Sequence, residues 1–348
     1  MPLSEEVKEI ISTTIENGSR GLDLAWNKIG DEGVTALAQN LPNTLTDLDL
    51  RGNNIRNEGV TALAQNLPNT LTYLNLGNNF IEKEGVTALA AELKQMPSLT
   101  SLNLVGNNIG KEGAKALAAE LKQMPNLTSL NLGYNLIGKE GVTALAAELK
   151  QVPNLTSLNL ACNDIGKEGA MALAGCLKDT NLTVLGFAGN NIGDEGATAL
   201  NKALEENCER IKNEVIAFKD NFLDDNNEFK DLKDIDQNTK LEFRELLHKF
   251  GKYAFASHIK RFGGLDEEEE YEIFDKLDEI AGEEVQDSST NQESGSLLAN
   301  EEGSQLDGSA EEPDFLSAVV EGLQPHPTQN TDLVGEISAG FVLEGLES

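Results

Sequence analysis

Three histidines and three cysteines are the residues of this chain best suited to covalent or metal chemistry, and their spacing assembles neither. His248 and His258 lie ten residues apart, nearly three helical turns, too far along an axis to share a ligand. His326 stands far from both. Cys162, Cys176 and Cys208 have neither the paired spacing of a metal site nor the density of a disulfide framework. They read as incidental thiols of a reducing compartment. No histidine stands near a cysteine, so a Cys-His nucleophile lacks its parts in one place. Gly52 and Gly106 open no Gly-Lys-Ser/Thr helix start and so cradle no phosphate. The expectation is a non-enzymatic chain with no metal and no organic cofactor.

The chemistry that does recur is the side-chain amide. Asn27, Asn53, Asn79, Asn107, Asn135, Asn163 and Asn190 are separated by 26, 26, 28, 28, 28 and 27 residues. A fixed period of that size marks one supersecondary unit copied along a solenoid. The frame is cleanest in residues 127–154, LTSLNLGYNLIGKEGVTALAAELKQVPN. Leu130 and Leu132 alternate, so a short strand points both inward while Ser129, Asn131 and Gly133 face the other way. Asn135 then turns the chain, and its amide can satisfy loop backbone groups that the strand cannot reach. After Gly141 the period changes to near 3.6, with Val142, Leu145, Ala146 and Leu149 on one helical stripe. Pro153 and Asn154 end the helix. Segments such as Ala88 to Ala91, Ala116 to Ala119 and Ala144 to Ala147 allow close helix packing.

This L-x-x-L-x-L-x-x-N pattern with a full helix behind each strand resembles the ribonuclease-inhibitor-like class of leucine-rich repeats. The resemblance covers about residues 19 to 207 and implies an α/β solenoid, a horseshoe with parallel strands on its concave side and helices on its convex side. Four regions are expected: an N-terminal capping helix (1–18), about seven repeats (19–207), a helical module (208–283) and an acidic tail (284–348). The first helix is read from Ser4 as N-cap, Val7, Ile10, Ile11 and Ile15 on one face, and Gly18 as the stop. In the third region, Phe243, Leu246, Leu247, Phe250 and Ala254, then Phe255, Ile259 and Phe262, form a stripe, followed by an acidic helix around Ile273, Phe274, Leu277 and Ile280. This is either a hairpin that caps the solenoid or a second binding module. From Glu284 the composition turns to Ser, Gly, Asn, Gln and Glu, too polar to fold alone.

Charge divides the chain. From Asp266 to Ser348 there are 24 Asp and Glu against Lys276 alone, which accounts for −23 of the net −32 and leaves −9 for the other 265 residues. Such a field repels nucleic acid and anionic membranes, so neither is an expected partner. No run of 18 apolar residues exists to insert in a bilayer. The acidic start MPLSEEVKEI is unlike a secretory signal, and the expected place is the cytoplasm.

Function is therefore sought on the concave face, with a protein as partner. Its outward strand positions begin with Asp23, Asp47, Asp49, Arg51, Tyr73 and Asn75 and continue as a Ser-Asn strip through Asn103, Asn131 and Asn159. Trp26, Asn78, Tyr134 and Cys162 are added from the adjoining loops. Trp and Tyr dominate many interfaces, so Trp26, Asp47, Asp49, Arg51 and Tyr73 are the expected hot end. Trp26 could instead cover the junction with the capping helix. The repeats starting at Leu99 and Leu127 differ at six of 28 positions, so the central strip is open to a second reading as a recent copy.

Two further resemblances carry function. The repeat class and acidic C-terminal region are similar to those of the Ran GTPase-activating proteins, which implies a small GTPase as partner. Asn78-Asn79 in LNLGNNFIEKEG are the nearest match to the family's N-N-G-L-G-P-like stretch, with Phe80 and Glu82-Lys83 in place of its Gly and Gly-Pro. A regular array with a Glu-rich tail also resembles repeat effectors that intracellular bacteria deliver through type IV secretion, with Glu301-Glu302, Glu311-Glu312 and Leu346 compatible with a C-terminal signal. That likeness implies delivery into a host cytosol and a host signalling protein as partner.

Overall fold

A computed structural model describes residues 5–222 together with Leu247, Phe250, Ala254, Phe255 and His258. Seven strands of three residues form one parallel sheet in chain order: β1 (Gly21–Asp23), β2 (Asp47–Asp49), β3 (Tyr73–Asn75), β4 (Ser101–Asn103), β5 (Ser129–Asn131), β6 (Ser157–Asn159) and β7 (Val184–Gly186). The pairing is in register, so Leu22, Leu48, Leu74, Leu102, Leu130, Leu158 and Leu185 align across the sheet. Parallel strands need a crossover, and each of the six here contains a helix: α2 (Gly30–Ala38), α3 (Asn57–Ala64), α4 (Lys83–Leu93), α5 (Gly110–Leu121), α6 (Gly138–Glu148) and α7 (Gly166–Leu177), while α8 (Gly193–Phe222) follows the last strand. This is the expected solenoid.

The sheet and helices meet in one continuous leucine core. Leu130, Leu132, Val142, Leu145, Ala146 and Leu149 of the fifth repeat are all buried in it. Close helix packing at the helix starts depends on glycine. A Cβ added at Gly113 would lie 2.8 Å from Val86 Cγ1, 2.8 Å from Ile109 Cγ2 and 3.2 Å from the backbone of Lys83. Helix propensity alone favours Gly→Ala by about 1 kcal/mol, whereas overpacking costs about 1 to 3 kcal/mol. Gly113→Ala is therefore expected to lower stability by about 1 kcal/mol in urea titration, the clash outweighing the propensity.

Helix α1 (Glu5–Glu16) falls within the stretch expected to be helical from Ser4 to Gly18, and Ile10 and Ile11 pack against the core. At the other end α8 runs through position 207, where the repeat frame stops, and continues to Phe222. Its side chains take over bonds that a further repeat would make: Asn207 Nδ2 donates to Leu182 O at 2.7 Å, and Arg210 Nη2 donates to Thr180 O at 2.7 Å. Leu247, Phe250, Ala254 and Phe255 are helical, as the stripe requires. Phe255 meets Phe218 edge-on at 5.2 Å between ring centroids, and Ala254 N donates to Asn154 Oδ1 at 3.2 Å. Phe243, Leu246, Ile259, Phe262, the acidic helix, His248, His326 and the tail 284–348 lie outside the described residues.

Candidate protein-binding face

The asparagine ladder is built as the frame demands. Asn53 donates through Nδ2 to Leu24 O (2.7 Å) and Leu50 O (3.0 Å), and its Oδ1 accepts from Asn27 N (3.0 Å) and Ile29 N (3.3 Å). Asn79, Asn107, Asn135, Asn163 and Asn190 are buried and join neighbouring repeats in the same way. Asn27 departs from the expected series. It is half-buried, no repeat precedes it, and among the described residues its Nδ2 reaches only Ala25 O at 3.1 Å.

A second series lies on the concave side. The last residue of each of the first six strands folds its side chain onto the N–H two residues on: Asp23 to Ala25 (2.9 Å), Asp49 to Arg51 (2.9 Å), Asn75 to Gly77 (3.0 Å), Asn103 to Val105 (3.1 Å), Asn131 to Gly133 (3.1 Å) and Asn159 to Ala161 (3.0 Å). Each side-chain oxygen serves as the cap of its own turn. In the seventh repeat this residue is Gly186. The strip read as a free recognition surface thus has one oxygen per residue committed to the fold. Asn75 is not surface at all: it is buried at 2% exposure, with Nδ2 donating to Asp49 Oδ2 and to the Tyr73 hydroxyl, both at 3.1 Å.

Asp49, Asn75 and Tyr73 form one network, with Arg51 Nε 3.3 Å from Asp49 Oδ2. Register sets Asp23 beside Asp49 and Tyr73 beside Asp47. Burial pushes the Asp49 carboxyl above the usual carboxylate range and the nearby Asp23 charge adds to it, against the lowering effect of Arg51 and Asn75. Burial, then the Asp49 charge, likewise raises the Tyr73 phenol. The folded chain therefore holds the Asp49 proton to higher pH than the unfolded chain does. In that window the native state binds more protons, so this group's contribution to stability falls as pH rises through it. Asn stands at the matching place in the next four repeats, so Asp49→Asn is expected to keep the turn bond and remove this pH-dependent loss. Parallel urea titrations of the two chains from acid to neutral pH check it, the gap widening as pH rises.

The loop position that contributes Trp26 and Tyr134 has a common backbone. Trp26, Gly52, Asn78, Gly106, Tyr134, Cys162 and Gly189 all have positive φ, between 52° and 71°. Glycine takes this region freely, whereas a bulky side chain there costs about 1 to 2 kcal/mol. Trp26 is nonetheless 65% exposed and Tyr134 58%, and the Trp26 ring lies against Gly52 of the second repeat. The tryptophan thus shields little of the core. The neighbouring Cys162 thiol raises the pKa of the Tyr134 phenol. Cys176 is half-buried, its thiol pushed up to about 11, mainly by burial, which makes it a poor nucleophile near neutrality.

Two exposed residues on this rim were not anticipated. Leu136 is 69% exposed at φ 57°, and Phe80 is 45% exposed with the Arg56 guanidinium 5.7 Å from its ring centre. Both directly follow a ladder asparagine, a place the repeat pattern leaves unspecified. The available signal was an apolar residue where Lys28, Asn54, Asn108, Asp164 and Asn191 stand in the other repeats. Of the pair Asn78-Asn79, only Asn78 faces outward. Among the described residues no group of three or more His, Cys, Asp or Glu could hold a metal ion, and no helix is long and apolar enough to cross a membrane.

The family described as "Leucine Rich repeat" matches seven segments, residues 20–38, 42–64, 68–90, 95–118, 123–146, 153–174 and 178–200. The chain is a leucine-rich-repeat protein. Each matched segment contains one strand of the sheet and all or part of the helix that follows it, so the family assignment and the observed repeat coincide. This leucine-rich-repeat array is similar to many solved structures, among them the following three. The actin-binding site 2 of leiomodin-1 is 23% identical, with 46% of this chain and 94% of that one covered and a TM-score of 0.41. A leucine-rich-repeat protein from Legionella pneumophila, LegL7, is 22% identical over 72% of this chain and 98% of that one, with a TM-score of 0.34. An internalin from Listeria monocytogenes is 17% identical over 57% and 93%, with a TM-score of 0.21. No curated protein matches the chain.

Proposed function

We propose that this leucine-rich-repeat protein is an interaction scaffold that binds a protein partner through the N-terminal end of its concave face and the adjoining loop rim. The observation that carries this reading is Trp26, a large aromatic held exposed in a backbone conformation that suits glycine. Beside it lie Asp23, Asp47 and the Asp49–Arg51–Tyr73 network, an acidic surface with one paired arginine. An exposed aromatic ringed by charge has the makeup of an interface hot spot. The Ser-Asn strip supplies length and shape rather than affinity, because its side-chain oxygens are engaged in turns.

The test is affinity capture from eukaryotic cytosol with the full chain and with a chain carrying Trp26→Gly and Asp47→Lys. A protein retained by the first and lost from the second supports the face, whereas identical retention by both sinks it.

A second reading, activation of a small GTPase, rests on exposed Asn78. It requires single-turnover GTP hydrolysis on the captured GTPase to accelerate with the chain and to lose that acceleration with Asn78→Ala. Delivery into a host cell by the tail, the reading that the effector resemblance supports, is tested by fusing residues 284–348 to a reporter in a secretion-competent strain.

A further inference from the structure

The seventh repeat ends the sheet with hydrogen-bond donors that every earlier repeat uses. In the first six repeats the N–H at the Leu24 position donates to the next repeat, from Leu24 N to Asp49 O (2.9 Å) through Leu160 N to Gly186 O (2.7 Å). The N–H at the Trp26 position does the same, from Trp26 N to Arg51 O (2.9 Å) through Cys162 N to Ala188 O (2.8 Å). The isoleucine after each ladder asparagine donates to the next asparagine's Oδ1, ending with Ile165 N to Asn190 Oδ1 at 3.3 Å. The equivalent groups of the last repeat are the N–H groups of Phe187, Gly189 and Ile192, and among the described residues none of them has an acceptor.

The apolar side of this edge is equally incomplete. Val184 is 46% exposed, and Leu185 is only partly buried although its six equivalents are buried. Phe187 stands in place of leucine and is also partly buried, while Ala188 and Gly189 are exposed. Helix α8 covers the approach to β7 through Asn207 and Arg210, which hold Leu182 and Thr180. Cover by α8 therefore stops before the strand itself.

We propose that this edge binds an extended segment of another protein, which adds as an eighth parallel strand. The chemistry of the occupant follows from continuity with the six pairings already in the sheet. Three outward N–H dipoles call for acceptors, two of them main-chain carbonyls two residues apart and the third a side-chain carbonyl two residues further on, as the ladder asparagine provides. Two apolar side chains at alternate positions must cover Leu185 and Phe187. The recognised segment thus reads as an apolar-x-apolar-x-x-Asn peptide. Main-chain bonds give such strand addition its affinity and the side chains its selectivity. This surface is separate from the Trp26 face, so the two proposals stand or fall apart.

The probe is a synthetic peptide with the sequence of residues 129–137, SLNLGYNLI, which carries these groups in the fifth repeat. Amide exchange of the full chain is followed with residue resolution as the peptide is added. The expected result is fast exchange at Phe187, Gly189 and Ile192 in the free chain and protection of all three with peptide. The same peptide with Asn135→Leu is expected to bind about tenfold more weakly. Protection of these amides in the free dilute chain overturns the proposal, as does binding that leaves them exchanging, or no binding at about 1 mM peptide. Protection that appears with chain concentration alone, alongside self-association in sedimentation, places a second copy there and overturns it too.

Discussion

Replacing Asn163 by Leu is expected to lower the stability of the array by about 3 to 5 kcal/mol, and replacing Asn27 by Leu by less than about 1 kcal/mol. The two residues occupy the same place in the repeat. Asn163 Oδ1 accepts from Asn135 N at 2.9 Å and Ile137 N at 3.2 Å, and both donors lie in the buried part of the loop. The carbonyls of Leu132 and Leu160 would each keep a second partner, Asn135 Nδ2 and Asn190 Nδ2. The cost thus falls on two orphaned N–H groups, each worth about 1 to 3 kcal/mol when buried without an acceptor. Asn27 receives no such donors and is half-buried. Paired urea titrations decide the matter. Equal losses for the two variants would mean that the ladder's energy lies in packing rather than in its amides.

Trp26→Gly is expected to separate binding from folding. Glycine relieves a positive φ that costs tryptophan about 1 to 2 kcal/mol, and that gain offsets the lost contact of the ring with Gly52. Stability should stay within about 1 kcal/mol of the parent. If Trp26 anchors the partner, affinity should fall by about thirtyfold or more, the ordinary cost of truncating an interface tryptophan. Titration calorimetry with the captured partner, beside urea titration of the free chain, reads both quantities. A large loss of stability with unchanged affinity would make the tryptophan a structural residue.

Most of the fold is legible in the sequence because its causes repeat. Leu130 and Leu132 are buried for the same reason as their counterparts in the other repeats, and a period of 26 to 28 residues makes one cause visible seven times. What escapes is what happens once. Asn75 looks like the strip residues Asn103 and Asn131, yet Asp49 on one neighbouring strand and Tyr73 on its own close over it. Leu136 is exposed because its backbone turns left-handed at a position the pattern leaves free. The path of α8 past 207 was partly readable, since Leu200, Ile211, Val215 and Phe218 are buried along it. The turn-capping role of Asp49 and its equivalents depends on a bond to a residue only two places on, which alternation alone does not reveal.

The uniform register of the sheet makes the array a gauge. Four strand steps separate the loop of Trp26 from that of Tyr134, which at about 4.8 Å per step fixes the two aromatic anchors roughly 19 Å apart along the sheet. The repeats starting at Leu99 and Leu127 are nearly interchangeable, so gaining or losing one unit shifts that separation by a whole step without altering either anchor. A lineage of such proteins could thus change the size of what it grips by counting units, leaving the chemistry of the grip untouched.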